Sequence, residues 1–373
     1  MIETIRLKHY KAFEDTGDIR LAPVTLILGR NNSGKSALLK SLSFICEAVA
    51  KGRDSSLKLS PRDGVVMGSS FQDLFHNRQF TDLSFGLRFD GVDYEINLIS
   101  NKGVVVPYGY VIKSANYLNA VQNSTLSEDV NGLFPTKEIE SISGLEDMMR
   151  FEVYHIGPLR IESPRIIERS KASRFDFVGH HGENTYSTLL DSMLGDEELI
   201  SKVSRWFCDN MGVSVGFEAI DTELTNFRPY VERDRIKINM ADSGLGISQL
   251  LPIVTQSFMA ANGTVICVEQ PALHLHPSAH ESVLVRLADS ALETGARYVV
   301  ESHSKNILLA LRLRVATSGN GFSPDDAAVY FVESSETPSV VKEIKIRKNG
   351  KLSYWPTGVF GEDVELLDKI LDR

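Results

Sequence analysis

Cysteine is scarce in this chain: Cys46, Cys208 and Cys267 are the only three among 373 residues. They are odd in number and far apart, which excludes a CxxC metal site within the chain and suits a reducing cytoplasm. No apolar run approaches the roughly 20 residues that span a bilayer, so no membrane partner is expected. Met1-Ile2-Glu3 leads straight into strand-like residues, and no signal peptide is expected there. An excess of positive charge is also lacking, since 40 Lys and Arg stand against 49 Asp and Glu for a net charge of −9. Nucleic-acid binding therefore cannot rest on global charge and would need a local basic patch. There is no internal repeat and no sustained heptad, which excludes a long coiled coil.

What is present is a globular composition, 42% hydrophobic and 24% charged, sufficient for one large or two ordinary domains with a real core. Periodicity predicts strands over 1–7 and 24–28 and a helix over 33–50, where Ala37, Leu38, Leu42, Ile45 and Val49 recur at helical spacing. Residues 83–89 and 94–98 alternate like antiparallel strands. Periodicity fades over 101–150, which reads as an insertion. A strand over 151–156, helices around 185–209 and a strand before Met240 follow. From Gly263 the pattern is α/β again: strand 264–268, helix 279–293, strand 296–300, helix 305–315, strands 328–333 and 341–347, and a closing helix over 363–371. The expected organisation is an N-terminal lobe over 1–100, a mixed insertion over 101–235 and a C-terminal lobe over 236–373.

The segment Gly29-Arg30-Asn31-Asn32-Ser33-Gly34-Lys35-Ser36 fits GxxxxGK[ST] and lies between a buried strand and a helix, the context this phosphate loop requires. Loop N–H groups and the helix N-terminus can cradle phosphates, with Lys35 bridging the β- and γ-phosphates of ATP and the Ser36 hydroxyl on Mg²⁺. The bland alternative is a glycine-rich turn capping a helix. Downstream, Thr264-Val265-Ile266-Cys267-Val268-Glu269 is an apolar strand ending in a carboxylate, as a Walker B element requires. By itself it would be an ordinary core strand with an acid at its end. The long separation between Lys35 and Glu269 demands an insertion. Asp242-Ser243-Gly244-Leu245-Gly246-Ile247-Ser248-Gln249, just before an apolar helix, is either an anion-binding helix start or a plain capped helix.

The order P-loop, Gly/Ser segment, Val268-Glu269-Gln270-Pro271, Leu275-His276-Pro277 and Glu301-Ser302-His303-Ser304 resembles an ABC-type ATPase head. It is similar to the branch that holds SMC proteins, RecF and the OLD-type ATPases. Transporter subunits usually carry LSGGQ, which this chain lacks. Tyr354-Trp355-Pro356-Thr357-Gly358-Val359-Phe360 and Gly157-Pro158-Leu159-Arg160 resemble a bacterial subgroup with an uncharacterised C-terminal tail. The fold implied is α/β, a P-loop NTPase of the ABC head type with an antiparallel β lobe and a mixed α/β insertion.

The resemblance implies a homodimer in which two heads sandwich two ATP molecules, each nucleotide meeting one P-loop and the other chain's signature. Gly244, Gly246 and Ser248 would touch the γ-phosphate in trans, with Ser243 an alternative to Ser248. Glu269 resembles the Walker B acid and His303 the switch histidine, and Gln72 is the candidate Q-loop glutamine completing the metal shell with Ser36 and Glu269. Where the family usually has a glutamate to activate water, this chain has Gln270, which can orient water but accept no proton. Turnover is therefore expected to be slow, with Glu301 either a substitute base or structural. His274 and His276 invite a zinc reading that Pro277 opposes, because alternating residues share a face only on a strand. Arg165, Arg169, Lys171 and Arg174, with Arg160 nearby, are either a solvated loop or a contact to nucleic acid or an acidic partner. Trp355-Pro356 is most simply a tail anchored in the core.

The implied function is ATP hydrolysis that closes a dimer and controls a partner effector, such as a nuclease encoded nearby, in bacterial DNA maintenance or antiphage defence. No nuclease signature occurs in this chain, and little room follows His303 for the TOPRIM domain that OLD nucleases append. A non-hydrolysing nucleotide switch or scaffold and a transporter ATPase subunit are the alternatives. Lys35→Ala should abolish ATP binding or turnover, because the phosphates lose their main charge partner; nucleotide titration and phosphate release check this, and wild-type values for both would remove the P-loop assignment.

Overall fold

The computed structural model describes residues 2–50, 59, 64–78, 82–101, 104–114, 117–121, 130–131, 134–135, 151–169, 175–334, 338–355 and 370. Its centre is a six-stranded sheet in the order β11-β16-β17-β4-β18-β19. These strands are β4 (Val24–Gly29), β11 (Glu152–Ile156), β16 (Thr264–Glu269), β17 (Arg297–Ser302), β18 (Ala327–Glu333) and β19 (Val340–Glu343). The first five strands of that order run parallel, and β19 returns antiparallel on β18. The central strands are apolar on consecutive residues because both their faces are covered. Leu26, Leu28, Ile266, Val268, Tyr298, Val300, Val329 and Phe331 enter one core. Ile27, Val265, Cys267, Val299, Ala328, Tyr330 and Val332 enter the other.

On the second face lies α1 (Lys35–Ala50), whose Leu38, Leu39, Leu42 and Ile45 are fully buried. Each such side chain contributes about 1.5–3 kcal/mol. Beyond it stands an antiparallel sheet in the order β2-β1-β5-β6-β7-β8, with β3 paired to β1. It comprises β1 (Ile2–Tyr10), β2 (Phe13–Asp15), β3 (Ile19–Arg20), β5 (Asp82–Phe89), β6 (Val92–Asn101), β7 (Val104–Ser114) and β8 (Tyr117–Val121). Strands β7 and β8 belong to the stretch expected to be an insertion, yet they continue the N-terminal sheet, and β11 is an edge strand of the central sheet. The weak periodicity of 101–150 is thus compatible with strands; β9 (Val130–Asn131) and β10 (Phe134–Pro135) form a short pair, and 136–150 lie outside the described residues.

The first face carries α2 (Thr185–Leu194), α3 (Glu198–Met211), α4 (Leu245–Met259), α5 (Ala279–Thr294) and α6 (Lys305–Thr317). A small sheet of β12 (Ile167–Glu168), β13 (Ser214–Ala219), β14 (Asn226–Arg233) and β15 (Ile236–Asn239) packs there too. Several expectations shift. Helix α1 begins at Lys35 rather than residue 33, because 30–34 form the loop. The strand expected over 341–347 ends at Glu343, with Ile346 in an isolated bridge to Leu352. Trp355 is not a core anchor: it is 38% exposed and lies over the Arg312 guanidinium, 5.8 Å from the ring centroid. Residues 356–360 and the helix expected over 363–371 fall outside the described residues, Ile370 excepted.

Helix α4 is buried around most of its girth and contains Pro252, which is packed from outside by Gly182. Gly182 has φ +77°, and a Cβ there would come within 2.4 Å of Pro252 Cγ. Gly182→Ala therefore combines left-handed strain with overpacking, and about 2–4 kcal/mol of stability should be lost. A shifted denaturation midpoint at unchanged slope would check it.

Candidate functional site

The parallel sheet delivers its chemistry to one edge. Strands β4, β16 and β17 all end at their carboxyl termini side by side, the position where open α/β sheets bind ligands. Strand β4 ends at Gly29, and the loop turns into α1 through Asn32 (φ 62°) and Gly34 (φ 102°). At Gly29 a Cβ would stand 2.4 Å from the Val332 carbonyl and 2.9 Å from Ser33 Oγ, and at Gly34 it would meet Ala12 and Phe13 at 2.9 Å. The loop thus packs so closely on Val332, Ala12 and Phe13 that both positions require glycine. Among the described residues, the buried Ser33 Oγ has no hydrogen-bond partner. Lys35 is 3% exposed; its Nζ donates to the Arg30 carbonyl at 2.6 Å and lies 3.9 Å from Glu301 Oε1. Burial lowers the Lys35 pKa against the opposing pull of Glu301 and Glu269.

Glu269 and Glu301 end adjacent strands in register, and both are buried. Ser36 Oγ donates to Glu301 Oε2 at 2.7 Å. Ser36 and Glu269, expected to share a metal shell with Gln72, are not hydrogen-bonded to each other among the described residues, and the Ser36 hydroxyl is taken by Glu301. Glu269 instead accepts from His155 Nε2 at 2.7 Å, and His155 Nδ1 lies 3.4 Å from Ser43 Oγ. The two carboxyls part in consequence. Burial raises Glu301, reinforced by the charge of Glu269 and opposed by Ser36 and Lys35. In Glu269 burial also pushes upward, but the His155 bond and charge outweigh it and the pKa is lowered. A buried hydroxyl, tight glycine turns, a buried amine and the oxygens of Ser36, Glu269 and Glu301 fit a nucleotide phosphate with Mg²⁺.

His303, the residue after β17, donates from Nδ1 to the Gly29 carbonyl at 2.7 Å, since a carbonyl only accepts. Burial and Lys35 lower its pKa. Gln270 takes φ +48°, uncommon for a residue with a side chain, and its N–H donates to the Glu301 carbonyl at 2.9 Å. Gln72 lies in a 3₁₀ turn (Phe71–Leu74) and donates to the Arg78 carbonyl at 2.7 Å; among the described residues no hydrogen bond ties it to Ser36, Glu269 or Glu301.

Gly244 caps α4 and is exposed, with open space where a Cβ would stand, whereas at Gly246 it would lie 3.1 Å from the His274 carbonyl. Ser248 is buried and its hydroxyl donates to the Leu245 carbonyl at 2.9 Å; Ser243 is nearer the surface and donates to Met240 O at 2.7 Å. His276 Nδ1 pairs with Ser278 Oγ at 2.8 Å, and among the described residues no cluster of His, Cys, Asp or Glu gathers as a metal site. Arg165 pairs with Asp242 at 2.6 Å, while Lys171 and Arg174 fall outside the described residues.

Sequence analysis assigns no role to His155 or Gln249, and Arg160 enters it only as a basic neighbour and as the end of the Gly157–Arg160 motif. All three are buried. The available signal was a histidine inside an apolar strand and an arginine directly after Gly-Pro-Leu, each needing a partner once buried.

Residues 24–310 match the family described as "AAA domain, putative AbiEii toxin, Type IV TA system". The chain belongs to this AAA family. Residues 322–370 match a second family, "Protein of unknown function (DUF3696)". A comparison with curated proteins finds no match. Among solved structures, the SmcHead bound to the C-winged helix domain of ScpA aligns over 92% of this chain and 98% of its own at 13% identity and TM-score 0.50. An Smc head from Pyrococcus furiosus with an extended coiled coil, bound to the C-terminal domain of ScpA, covers 99% of both chains at 12% identity and TM-score 0.46. The SMC head domain from Thermotoga maritima covers 92% of this chain and 99% of its own at 14% identity and TM-score 0.41. The fold of this AAA-family chain is that of an SMC-type ATPase head.

Gln270→Glu adds a proton acceptor beside Glu269 with little change in shape. General-base catalysis contributes about 10²–10⁴-fold, so phosphate release at saturating ATP should rise at least about tenfold. Glu301→Gln, which weakens the contact to Ser36, should lower it. A silent or slowed Gln270→Glu with intact ATP affinity would mean that residue 270 does not face the attacking water.

Proposed function

We propose that this chain is an ATP-hydrolysing head that closes as a homodimer on Mg·ATP and controls a partner effector. The observation that carries the reading is the convergence of the P-loop, Glu269, Glu301 and His303 at one sheet edge, with the Gly244 end of α4 exposed. No hydrogen bond among the described residues ties the signature segment to the chain's own P-loop. A nucleotide cradled by one chain would then take its remaining contacts from a second.

In this reading the loop N–H groups and Lys35 hold the phosphates, and Ser33 gains the partner it lacks. Lys35 exchanges the Arg30 carbonyl for phosphate oxygens. Bound Mg²⁺ would neutralise developing phosphate charge, held through Ser36 and Glu301, with Glu269 kept ionised alongside by His155. His303, its Nδ1 fixed by Gly29, presents Nε2 as the γ-phosphate sensor. Gln270 orients water without accepting its proton, which supports slow turnover and a long-lived closed dimer. Gln72 is retained as a metal-shell candidate only after its bond to Arg78 is exchanged. The trans contact is assigned to Ser243, Gly244 and Gly246, with Ser248 an alternative that is buried and would have to be uncovered first.

The effector reading draws on the family description, which names a toxin and a type IV TA system, and on the ScpA-bound state of the SMC head. A protein effector, such as a nuclease in antiphage defence or DNA maintenance, acting in the cytoplasm, is the partner class proposed, with nucleic acid a further candidate. Gln270 also favours a second reading, a nucleotide switch that closes without hydrolysis; steady-state phosphate release set against ATP affinity separates the two.

Complementation tests the dimer. Gly244→Asp has room for its side chain and places a negative charge where γ-phosphate would dock. Alone, Lys35→Ala and Gly244→Asp should each be inactive; mixed, they should restore one composite site per dimer and about a quarter to a half of wild-type turnover, depending on how the chains pair. Association measured by light scattering should require ATP. If mixing restores nothing and ATP leaves the association state unchanged, catalysis in trans is excluded.

A further inference from the structure

The segment after β11 runs between the two halves of the proposed catalytic apparatus. Gly157 N–H donates to the His180 carbonyl and Ile161 N–H to the His181 carbonyl, both at 2.8 Å, which fixes the turn at each end. Between them Arg160 is 5% exposed. Its Nη2 donates to the Glu269 carbonyl at 2.5 Å and to the Gln270 carbonyl at 3.3 Å. Its Nη1 donates to the Gln249 carbonyl in α4 at 3.3 Å. The Gln249 side chain answers by accepting from the Arg160 N–H at 3.3 Å and donating to the Arg160 carbonyl at 2.9 Å. One buried guanidinium thus bonds the last residue of β16, the residue that follows it and the helix that begins at the signature.

This is more than a core ion pair. Among the described residues Arg160 has no carboxylate in hydrogen-bond contact: its acceptors are main-chain carbonyls, and Glu269 acts on it through space. Burial pulls its pKa down to about 10 while Glu269 pulls the other way, so it remains charged near neutrality. Its Nε is buried and has no hydrogen-bond partner among the described residues. The two bonds at 3.3 Å are long beside the one to the Glu269 carbonyl, so the planar fork is shared unevenly between β16 and α4. The same carbonyls belong to Glu269, whose side chain is held by His155, and to Gln270, whose backbone has positive φ.

We propose that Arg160 is a positioning residue that, with Gln249, couples the placement of the signature helix α4 to the Glu269–Gln270 end of β16, so that contact of α4 with a partner's nucleotide sets the geometry of the chain's own hydrolytic site. The proposal rests on the dimeric ATPase reading above. It makes the two nucleotides of one dimer interdependent through the body of each chain. The capacity lies in a rigid donor shared between two elements, and each element carries a residue of a different nucleotide's site.

The test uses the full chain with Mg·ATP and measures ATP affinity, ATP-driven association, kcat and thermal midpoint. Arg160→Gln should lower kcat at least tenfold with ATP affinity changed less than threefold and association retained; Arg160→Lys, which keeps the charge but loses the fork, should recover part of the rate. Gln249→Leu cuts the link from the helix side and serves should Arg160→Gln fail to fold, with the same loss in kcat expected. The double variant should fall no further than the worse single variant, as two members of one coupling path do. Wild-type kcat in Arg160→Gln, or in Gln249→Leu when that variant stands in for it, multiplicative losses in the double variant, or parallel losses in affinity and kcat would overturn the coupling while leaving the ATPase reading in place. A wild-type chain that binds ATP and releases no phosphate would overturn the hydrolytic reading and the coupling with it.

Discussion

Two carboxylates buried on neighbouring strands repel each other and lose their hydration together, so each needs its own compensation. Glu269 and Glu301 face this at the carboxyl edge of the central sheet, and much of the local structure answers it. His155 sits on β11, the neighbour of β16, and reaches Glu269 from that side. Ser36 and Lys35 stand at the start of α1 and reach Glu301 from above. Strand order decides this division: β16 lies between β11 and β17, while β17 lies between β16 and β4. Glu269 is therefore served from the neighbouring strand β11, and Glu301 from the helix that follows β4.

The antiparallel sheet has a supporting role of a similar kind. Its Phe13 and Ala12 stand where a Cβ on Gly34 would intrude, so the lobe that covers α1 also limits the shape of the phosphate loop. On the other face, α4 is long, apolar and buried, and its exposed N-terminal end carries Gly244 and Leu245 to the surface. Packing one end of a helix into the core while exposing its start fixes the direction in which its N–H groups point, which suits an anion approaching from a second molecule.

The phosphate loop was legible because its chemistry demands residues at fixed spacing: a strand, glycines where the backbone turns, then Lys and Ser at the helix start. The strand ending in Glu269 was legible for a related reason, since burial on both faces leaves an unbroken apolar run. Strands β7 and β8 were not, because their residues alternate weakly and pairing in an existing sheet supplies what local propensity lacks. Trp355 was misjudged as a core residue: an aromatic next to a proline carries no information about which face it will find, and here it lies over an arginine at the surface.

The sequence by itself determined the α/β class, the phosphate loop and the acids at two strand ends, because these follow from local periodicity and spacing. Only the tertiary structure decided which acid meets Ser36, that His155 holds the other, and that Arg160 joins β16 to α4. Those contacts link residues more than a hundred positions apart in the cases of Ser36–Glu301, His155–Glu269 and Arg160–Glu269. No local pattern records them, since they depend on strand order and on which buried polar group lies within reach when the sheet closes.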